Sequence, residues 1–267
     1  MMFQTRHFSA DNRDFSEFQV PMRPIPRRVE DAVARGVQSG ADFPFSGAPK
    51  LLTTQGDGLI DAVNRNADGV LVVACRTEMP GVTPAMWDWW FGWHGVSAER
   101  YRLWHPREHV GSKVSEIRGP SRDLKARYIG VTSFIEEYIG DRELQKLSVE
   151  FRAHREFGLD ESEVARQGTA ICARGGFPDK FVETAYLVHF VRETSGGSEM
   201  LSRFWLGYVN SKIPLVGRFI SHRMNKREAR LKVIPDRFGL NLLRHCAQEM
   251  GHLAAILPAL YGKYKDD

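Results

Sequence analysis

The fold of this chain follows from its last apolar segment, Asp236-Arg-Phe-Gly-Leu-Asn-Leu-Leu-Arg-His-Cys-Ala-Gln-Glu-Met-Gly-His-Leu-Ala-Ala-Ile-Leu257, whose apolar residues recur at helical spacing. Asp236 is a suitable N-cap, and Pro258 predicts the end of the helix. One face carries a stripe formed by Phe238, Leu242, His245, Glu249, Leu253 and Ile256. Two polar residues, His245 and Glu249, therefore lie on the face expected to point into the protein.

His245 and Glu249 are spaced to share one metal ion. Residues four apart lie on one helix face with Cβ atoms about 5–6 Å apart, so an imidazole and a carboxylate can reach the same ion. Burying both groups unpaired would be costly, and a divalent metal satisfies both. An isolated pair of this kind is more often a surface ion pair, so further ligands are needed to support the metal interpretation.

Strand-like segments precede this helix. The apolar and β-branched runs lie at residues 69–75, 125–139, 167–174, 181–193 and 199–209. Thr83 and Pro84 predict the start of a tryptophan-rich helix over 85–92. Because Gly-containing turns join the later strands directly, we predict an antiparallel sheet. The fold class is therefore α+β, with a curved antiparallel sheet around a long C-terminal helix, a helix-grip arrangement that encloses a ligand cavity.

The chain is long enough, at 267 residues, to bury one large core. Residues 1–50 are rich in Pro, Arg, Gly and Asp, which predicts an irregular N-terminal arm packed on that core. Residues 51–267 are expected to form a single helix-grip catalytic domain. Within it, residues 210–235 are interpreted as a long basic connection before the last helix.

Charge and cysteine content exclude several classes of protein. Lys and Arg number 37 against 33 Asp and Glu, and the one basic cluster, residues 218–232, is interpreted as a solvated surface. Three isolated cysteines suggest reduced thiols in a cytoplasmic protein. The chain shows neither a signal-like N-terminus nor an uninterrupted apolar run of membrane-spanning length. We therefore expect no nucleic-acid and no membrane partner.

Two other segments offer metal ligands, and each leaves a choice open. His105 and His109 both follow the tryptophan-rich helix, and either can supply a second imidazole. Glu136 can supply a carboxylate from a strand in which alternate residues share a face, whereas the opposite register would make Glu137 the ligand. Along the last helix, His252 lies three residues after Glu249 and competes as a ligand.

Two further features bear on a substrate. His189 interrupts an otherwise apolar strand, where core packing and substrate binding are equally good explanations. The segment from Trp87 to Trp104, which includes Trp90, is the densest aromatic region and could line a pocket for a flat substrate, although core packing is the commoner role.

Taken together, several motifs resemble the diacetylphloroglucinol hydrolase and phloretin hydrolase family in order and spacing, over roughly residues 65–260. They are Trp89-Trp-Phe-Gly-Trp-His94, Trp104-His-Pro-Arg-Glu-His109, Ile135-Glu-Glu137, His189-Phe-Val-Arg-Glu193, Ser202-Arg-Phe-Trp-Leu-Gly207 and the terminal HxxxE. The family comprises zinc-dependent hydrolases on a Bet v 1-like, START-like helix-grip fold. They cleave the carbon–carbon bond between an acyl group and a polyhydroxylated aromatic ring.

The resemblance implies specific roles in this chain. The metal ligands it implies are His105, Glu136, His245 and Glu249, around Zn²⁺. It implies that His189 is a pocket residue near the substrate, and it aligns Phe204 with a substrate-binding tyrosine and Glu108 with an amide. A phenyl ring cannot donate the hydrogen bond of a phenol, so the substrate is expected to differ.

The expected activity is a hydrolytic retro-Claisen cleavage of an acylated polyhydroxyphenol that releases a carboxylic acid. His189 and Glu108 are the candidates for the general acid and base, and Trp90, Phe204 and His189 for substrate contacts. Two alternatives are a ligand carrier or sensor without chemistry, and a metalloenzyme of another reaction type. The expected partners are a small aromatic ketone and a second copy of the chain.

Overall fold

A single mixed sheet forms the centre of the molecule in the computed structural model, which describes residues 11–40 and 43–267 apart from the side chain of Asp57. Its strands are β1 (Gln38–Ser39), β2 (Ala62–Arg65), β3 (Leu71–Pro80), β4 (His109–Val114), β5 (Thr132–Glu137), β6 (Gln145–Arg152), β7 (Gly168–Phe177), β8 (Val182–Thr194) and β9 (Gly197–Ser211). The spatial order is β1-β2-β3-β9-β8-β7-β6-β5-β4, and only the β1–β2 pair is parallel. The antiparallel sheet is thus confirmed, with four more strands than the sequence pattern predicted.

Seven α-helices accompany the sheet within the described residues. They are α1 (Arg27–Arg35), α2 (Pro84–Trp93), α3 (Ala98–Trp104), α4 (Glu161–Gln167), α5 (Gly217–Met224), α6 (Arg227–Val233) and α7 (Asp236–Tyr264). Helix α7 crosses β3 and β2, and a Cβ atom at Gly239 would lie 2.6 Å from Leu71 and 2.8 Å from Val63. The absence of a side chain at Gly239 therefore permits this close helix–sheet crossing. The helix-grip class predicted from the sequence is confirmed.

Helix α7 continues past Pro258, where the sequence predicted its end. Proline removes one backbone hydrogen bond and costs about 3 kcal/mol inside a helix. Beyond it, Tyr264 packs against Phe15 and Trp93, with ring centroids 5.6 and 5.5 Å away. Burial of these aromatic surfaces offsets the cost, so the helix persists to Tyr264.

The strand predicted over residues 125–139 is shorter than expected. A 3₁₀ turn occupies Leu124–Arg127, and Gly130 adopts a left-handed φ of 84°, so that β5 begins only at Thr132. The predicted basic connection at 210–235 is in large part helical, because it contains α5 and α6.

Two cores lie on opposite faces of the sheet. In β3, Leu71 and Val73 belong to the core under α7, whereas Val72 and Ala74 belong to a core covered by residues 43–59 and the region of α4. The described parts of the N-terminal arm contribute to both, since Phe15 packs in the first core and Phe43 in the second. Residues 1–10 and 41–42 of that arm lie outside the described residues. Within the described residues, no helix combines the length and apolar character needed to span a membrane.

Candidate metal centre and cavity

A cavity of about 730 Å³ lies between the sheet and α7. Its walls are mainly aliphatic and aromatic, from residues such as Leu147, Val149, Phe151, Ile171 and Leu187. The stripe of α7 that contains His245 and Glu249 faces the cavity, because Leu242, His245 and Glu249 all line it. The size and apolar lining suit a small aromatic ligand held against one polar region.

Four donor atoms converge at that polar region. His109 opens β4 and Glu137 closes β5, and the antiparallel pairing sets these two residues opposite each other. The Nε2 atoms of His109 and His245 lie 3.4 Å apart. Glu137 Oε2 lies 3.5 Å from the first nitrogen and 3.9 Å from the second. Glu249 Oε2 lies 3.5 and 3.7 Å from the same two atoms.

The outer nitrogen of each histidine already has an acceptor. His109 Nδ1 lies 3.1 Å from the backbone carbonyl of Tyr101, and His245 Nδ1 lies 2.6 Å from Glu108 Oε2. When both Nδ1–H groups donate to these acceptors, the two Nε2 lone pairs face each other. Such buttressing of the distal nitrogen is typical of histidines that bind a metal.

Burial and charge together perturb the protonation of this cluster. Burial opposes a charge on His245, but the carboxylates of Glu249 and Glu108 outweigh it and raise its pKa to about 9. Burial raises the pKa of Glu249 to about 8, although His245 favours its charged form. Burial likewise raises the pKa of Glu137, and burial beside His245 holds the pKa of His109 well below its ordinary value. In the metal-free protein at neutral pH, the His245–Glu249 pair therefore holds at least one proton.

The residues present fit a divalent metal ion. Tetrahedral zinc with bonds of about 2.0–2.1 Å separates its ligand atoms by about 3.3 Å, slightly less than the distances found here. The donor set, two imidazole nitrogens and two carboxylate oxygens, is one that first-row ions accept. Tyr101 donates its phenolic O–H to Glu137 Oε2, the same oxygen that faces the two histidines, and so orients that carboxylate.

One of the two strand carboxylates faces away from the cluster. The side chain of Glu136 is 44% exposed and forms an ion pair with Lys146, Nζ to Oε1 3.5 Å. The inner face of β5 instead carries Ser133, Ile135 and Glu137, all of which line the cavity. The geometry therefore favours Glu137 over Glu136 as a ligand, the opposite register that the sequence left open.

The geometry also distinguishes the two histidines. His105 Nε2 is buried and lies 3.7 Å from Glu108 Oε2, outside the four-atom cluster. His105, Glu108 and His245 do form a second group with metal-ligand chemistry. In it, however, His245 Nδ1 and Glu108 Oε2 are only 2.6 Å apart, a hydrogen-bond distance too short to span an ion. The geometry therefore favours His109 over His105.

Two other sequence-based candidates lie outside the cavity wall. Glu108 is not among the described residues that line the cavity, and its carboxylate contacts His245 and the backbone N–H of Gly140. Trp90 is fully buried, stacks on His94 with ring centroids 4.9 Å apart, and does not line the cavity either. Each residue can position a neighbour, but neither is placed to touch a ligand in the cavity.

His189 and Phe204 both line the cavity. Their rings lie 5.6 Å apart, and His189 Nδ1 lies 2.8 Å from Ser202 Oγ on the neighbouring strand. Burial lowers the pKa of His189 to about 3, so its imidazole is neutral at physiological pH. With Nδ1–H donating to Ser202, Nε2 is left as an acceptor.

Sequence reasoning missed two polar residues of the wall, His94 and Tyr101. The Tyr101 ring stacks on His109 at 3.9 Å, and His94 lies 6.0 Å farther along the same wall. His94 Nδ1 lies 2.8 Å from the Trp90 carbonyl, and burial lowers the pKa of His94 to about 4. The i, i+4 spacing of Trp90 and His94 was a weak sequence signal that these two residues are in contact.

Comparison with known proteins places the chain in a family. The DAPG hydrolase PhiG domain model matches residues 50–262, so the chain belongs to that family. Phloretin hydrolase from Eubacterium ramulus is 29% identical over 268 residues, which cover 94% of this chain and 90% of that protein. A 2,4-diacetylphloroglucinol hydrolase from Pseudomonas sp is 30% identical over 204 residues, covering 72% and 67% of the two chains.

Solved structures with a similar course of the chain have low sequence identity to this protein. Protein Ms6760 from Mycobacterium smegmatis has a TM-score of 0.39 and 14% identity, with 72% of this chain and 92% of that chain covered. Norcoclaurine synthase from Thalictrum flavum has a TM-score of 0.35 and 12% identity, with coverage of 73% and 88%. The functional assignment therefore depends on the family and on the site.

Proposed function

We propose that this protein is a metal-dependent hydrolase that cleaves the carbon–carbon bond between an acyl group and a polyhydroxylated aromatic ring. The observation that carries the proposal is the group formed by His109, Glu137 and His245 beside an apolar cavity, with Glu249 Oε2 within 3.7 Å of both histidine Nε2 atoms. Family membership supports the same reaction class, because the similar proteins are named for phloretin and diacetylphloroglucinol hydrolysis.

In this proposal those four side chains hold one divalent ion, with zinc preferred because it accepts imidazole and carboxylate ligands and has no redox chemistry. The bound ion would supply a Lewis acid that stabilises negative charge on the oxygens of an acylated phenol. Glu108 and the Tyr101 carbonyl orient His245 and His109, and the Tyr101 phenol orients Glu137.

The remaining cavity residues bind and orient the substrate. The aliphatic and aromatic walls exclude bulk water and accept the flat ring. Of the polar wall residues, His94 and His189 are neutral and each has its Nδ1 engaged, so each offers Nε2 to a hydroxyl of a polyhydroxylated ring. Phe204 offers only an apolar surface there.

The overall reaction adds water across one carbon–carbon bond. The acyl carbon gains the hydroxyl group and leaves as a carboxylic acid, and the ring carbon gains a proton. His189 is the proposed proton acceptor or donor at the substrate, because Glu108 lies behind His245 and does not reach the cavity. A cytoplasmic location and a homodimeric state stay predictions from the sequence.

The test is an incubation of the purified protein with 2,4-diacetylphloroglucinol and with phloretin, followed by chromatography of the deacylated phenol and the released acid. We expect stoichiometric formation of both products, loss of turnover with a chelator, and loss in Glu249→Gln. Cleavage of aryl esters alone would instead indicate another type of metalloenzyme. Ligand binding without turnover, unchanged in Glu249→Ala, would indicate a carrier.

A further inference from the structure

An exposed apolar patch surrounds one side of the cavity opening. It consists of Phe181, Leu215, Val216 and Phe219, which are 56%, 104%, 49% and 64% exposed. We call these four residues the mouth patch. The Lys212 backbone N–H donates to the Phe181 carbonyl at 2.8 Å, which holds the two parts of the patch together. A cluster of large apolar side chains in water is unfavourable and usually indicates a binding surface.

The backbone holds two of these side chains in an unusual conformation. Among the described residues, only three other than glycine have a positive φ, and two of them are Phe181 at 49° and Leu215 at 67°. A left-handed conformation is strained for a bulky residue, and here it displays apolar side chains to solvent instead of burying them. Neither the metal centre nor the core accounts for this arrangement.

The mouth patch continues the apolar surface of the cavity. From the same segment, Ile213, Ile220 and Met224 line the cavity, while Leu215, Val216 and Phe219 face outward. An apolar molecule at the patch would therefore stand at the entrance of the cavity.

Positive charge surrounds the patch. Residues 212–233 contain seven Lys and Arg but only Glu228 as an acid, whereas the whole chain has a net charge of +4. Lys212 pairs with Glu183, and the buried Arg230 donates to the Gly207 carbonyl. Five other cations of the segment are exposed and have no acidic partner within the described residues. They are Arg218, Arg223, Lys226, Arg227 and Lys232, of which Arg227 donates to the Ala67 carbonyl.

At α5, one cation and two of the apolar side chains share a face. Val216, the N-cap of α5, and Phe219 and Arg223 within the helix follow an i, i+3, i+7 spacing, and the Arg223 guanidinium lies 5.8 Å from the Phe219 ring centroid. A two-fold contact between copies would bring like cations of this face together, which is unfavourable. An anionic membrane matches this face, because its phosphates can pair with the cations and its acyl-chain boundary can take up the apolar side chains.

We propose that the mouth patch docks on an anionic membrane surface. Phe181, Leu215, Val216 and Phe219 enter the headgroup region, and the exposed cations of residues 218–232 lie on lipid phosphates. This assigns a role to the basic cluster that the sequence pattern had left as a solvated surface. It also deepens the proposed function, and rests on it in this respect, because an apolar aromatic ketone dissolved in the bilayer would reach the cavity directly.

Vesicle co-sedimentation tests the docking without any substrate, so its outcome is independent of the proposed reaction. We expect the protein to sediment with vesicles of phosphatidylcholine and phosphatidylglycerol at about 0.1 M salt, and to be released at about 1 M salt. Pure phosphatidylcholine vesicles should bind at least about tenfold more weakly, since they lack the negative surface charge that attracts the exposed cations.

Variants distinguish docking through the mouth patch from nonspecific binding to vesicles. Leu215→Ser combined with Phe219→Ser should weaken vesicle binding about tenfold or more. The matched control is Ile117→Ser, which alters a side chain that is 73% exposed and does not line the cavity. Equal binding by the double variant, or failure of the wild type to bind anionic vesicles, would overturn the proposal. A wild-type dimer in sedimentation velocity that the double variant dissociates would also overturn it, by assigning the patch to self-association.

Discussion

His109 Nε2 and His245 Nε2 lie 3.4 Å apart although 136 residues separate them in the chain. Both Nδ1 atoms have acceptors, so the two Nε2 lone pairs repel each other unless a cation or a proton lies between them. In the metal-free protein the raised pKa of His245 supplies that proton. The same pair is therefore expected to exchange a proton for a metal ion.

The two adjacent glutamates of β5 should behave differently. Glu137→Gln removes a buried ligand carboxylate, so we expect at least about tenfold less metal affinity. Glu136→Gln alters only a partly exposed ion pair and is the matched control, with metal content equal to that of the wild type. Metal content by inductively coupled plasma mass spectrometry, on proteins purified without added metal, decides between them. Retention in the first variant together with loss in the second would exclude the ligand set proposed here.

The two histidines after α3 form a second matched pair. His109→Asn removes one of the facing Nε2 atoms, and we expect bound metal to fall to a small fraction of one ion per chain. His105→Asn alters a residue that contacts Glu108 and stacks on His245 but lies outside the four-atom cluster, so the loss of affinity should stay within about tenfold. Chelator-competition titration measures both affinities. A larger effect at His105 than at His109 would return the ligand role to His105.

Much of the architecture was accessible from sequence patterns, since α7 and the late strands have long, strongly periodic segments. Four strands were not predicted, and two of them, β6 and β4, were missed for different reasons. Residues 145–152 alternate correctly, with Leu147, Val149 and Phe151 lining the cavity, so the signal was present but interrupted by polar residues. β4 is short and contains Gly111, so only its pairing with β5 defines it.

Half of the candidate site could be predicted from the sequence. His245 and Glu249 share a helix face, and helical spacing alone brings them together. The choice of Glu137 depends on where β5 begins, and Gly130 delays that start to Thr132. The choice of His109 depends on its pairing opposite Glu137, a long-range relation that no local pattern contains.

Glu108 should act on the metal through His245. Glu108→Leu removes the acceptor for His245 Nδ1, and we expect about 10–100-fold weaker metal affinity with full occupancy at saturating metal. Glu108→Gln keeps a carbonyl acceptor and should restore most of that affinity. A merely structural role would lower the thermal midpoint of both variants without separating their affinities for metal.

Metal affinity should rise with pH. Because the pKa values of His245 and Glu249 are both raised, this pair retains at least one proton at pH 7 in the metal-free protein. Binding must then release at least one proton, and affinity should strengthen as pH rises toward 9. Calorimetric titration in buffers of different ionisation enthalpy counts the protons. Release of none at pH 7 would mean that the cluster is already deprotonated.

Acid stability should report on His94, whose pKa burial lowers to about 4 from an ordinary value near 6.5. The unfolded chain binds this proton below pH 6.5 and the folded chain does not, so stability is lost as pH falls from 6.5 toward 4. Between pH 7.5 and 5 this one group should lower the free energy of unfolding by about 2 kcal/mol. In His94→Gln that loss should disappear, although the variant starts less stable, whereas in the exposed control His222→Gln it should remain. Urea denaturation at both pH values gives the difference for each protein, and an unchanged pH dependence in His94→Gln would show that His94 is charged in the folded state.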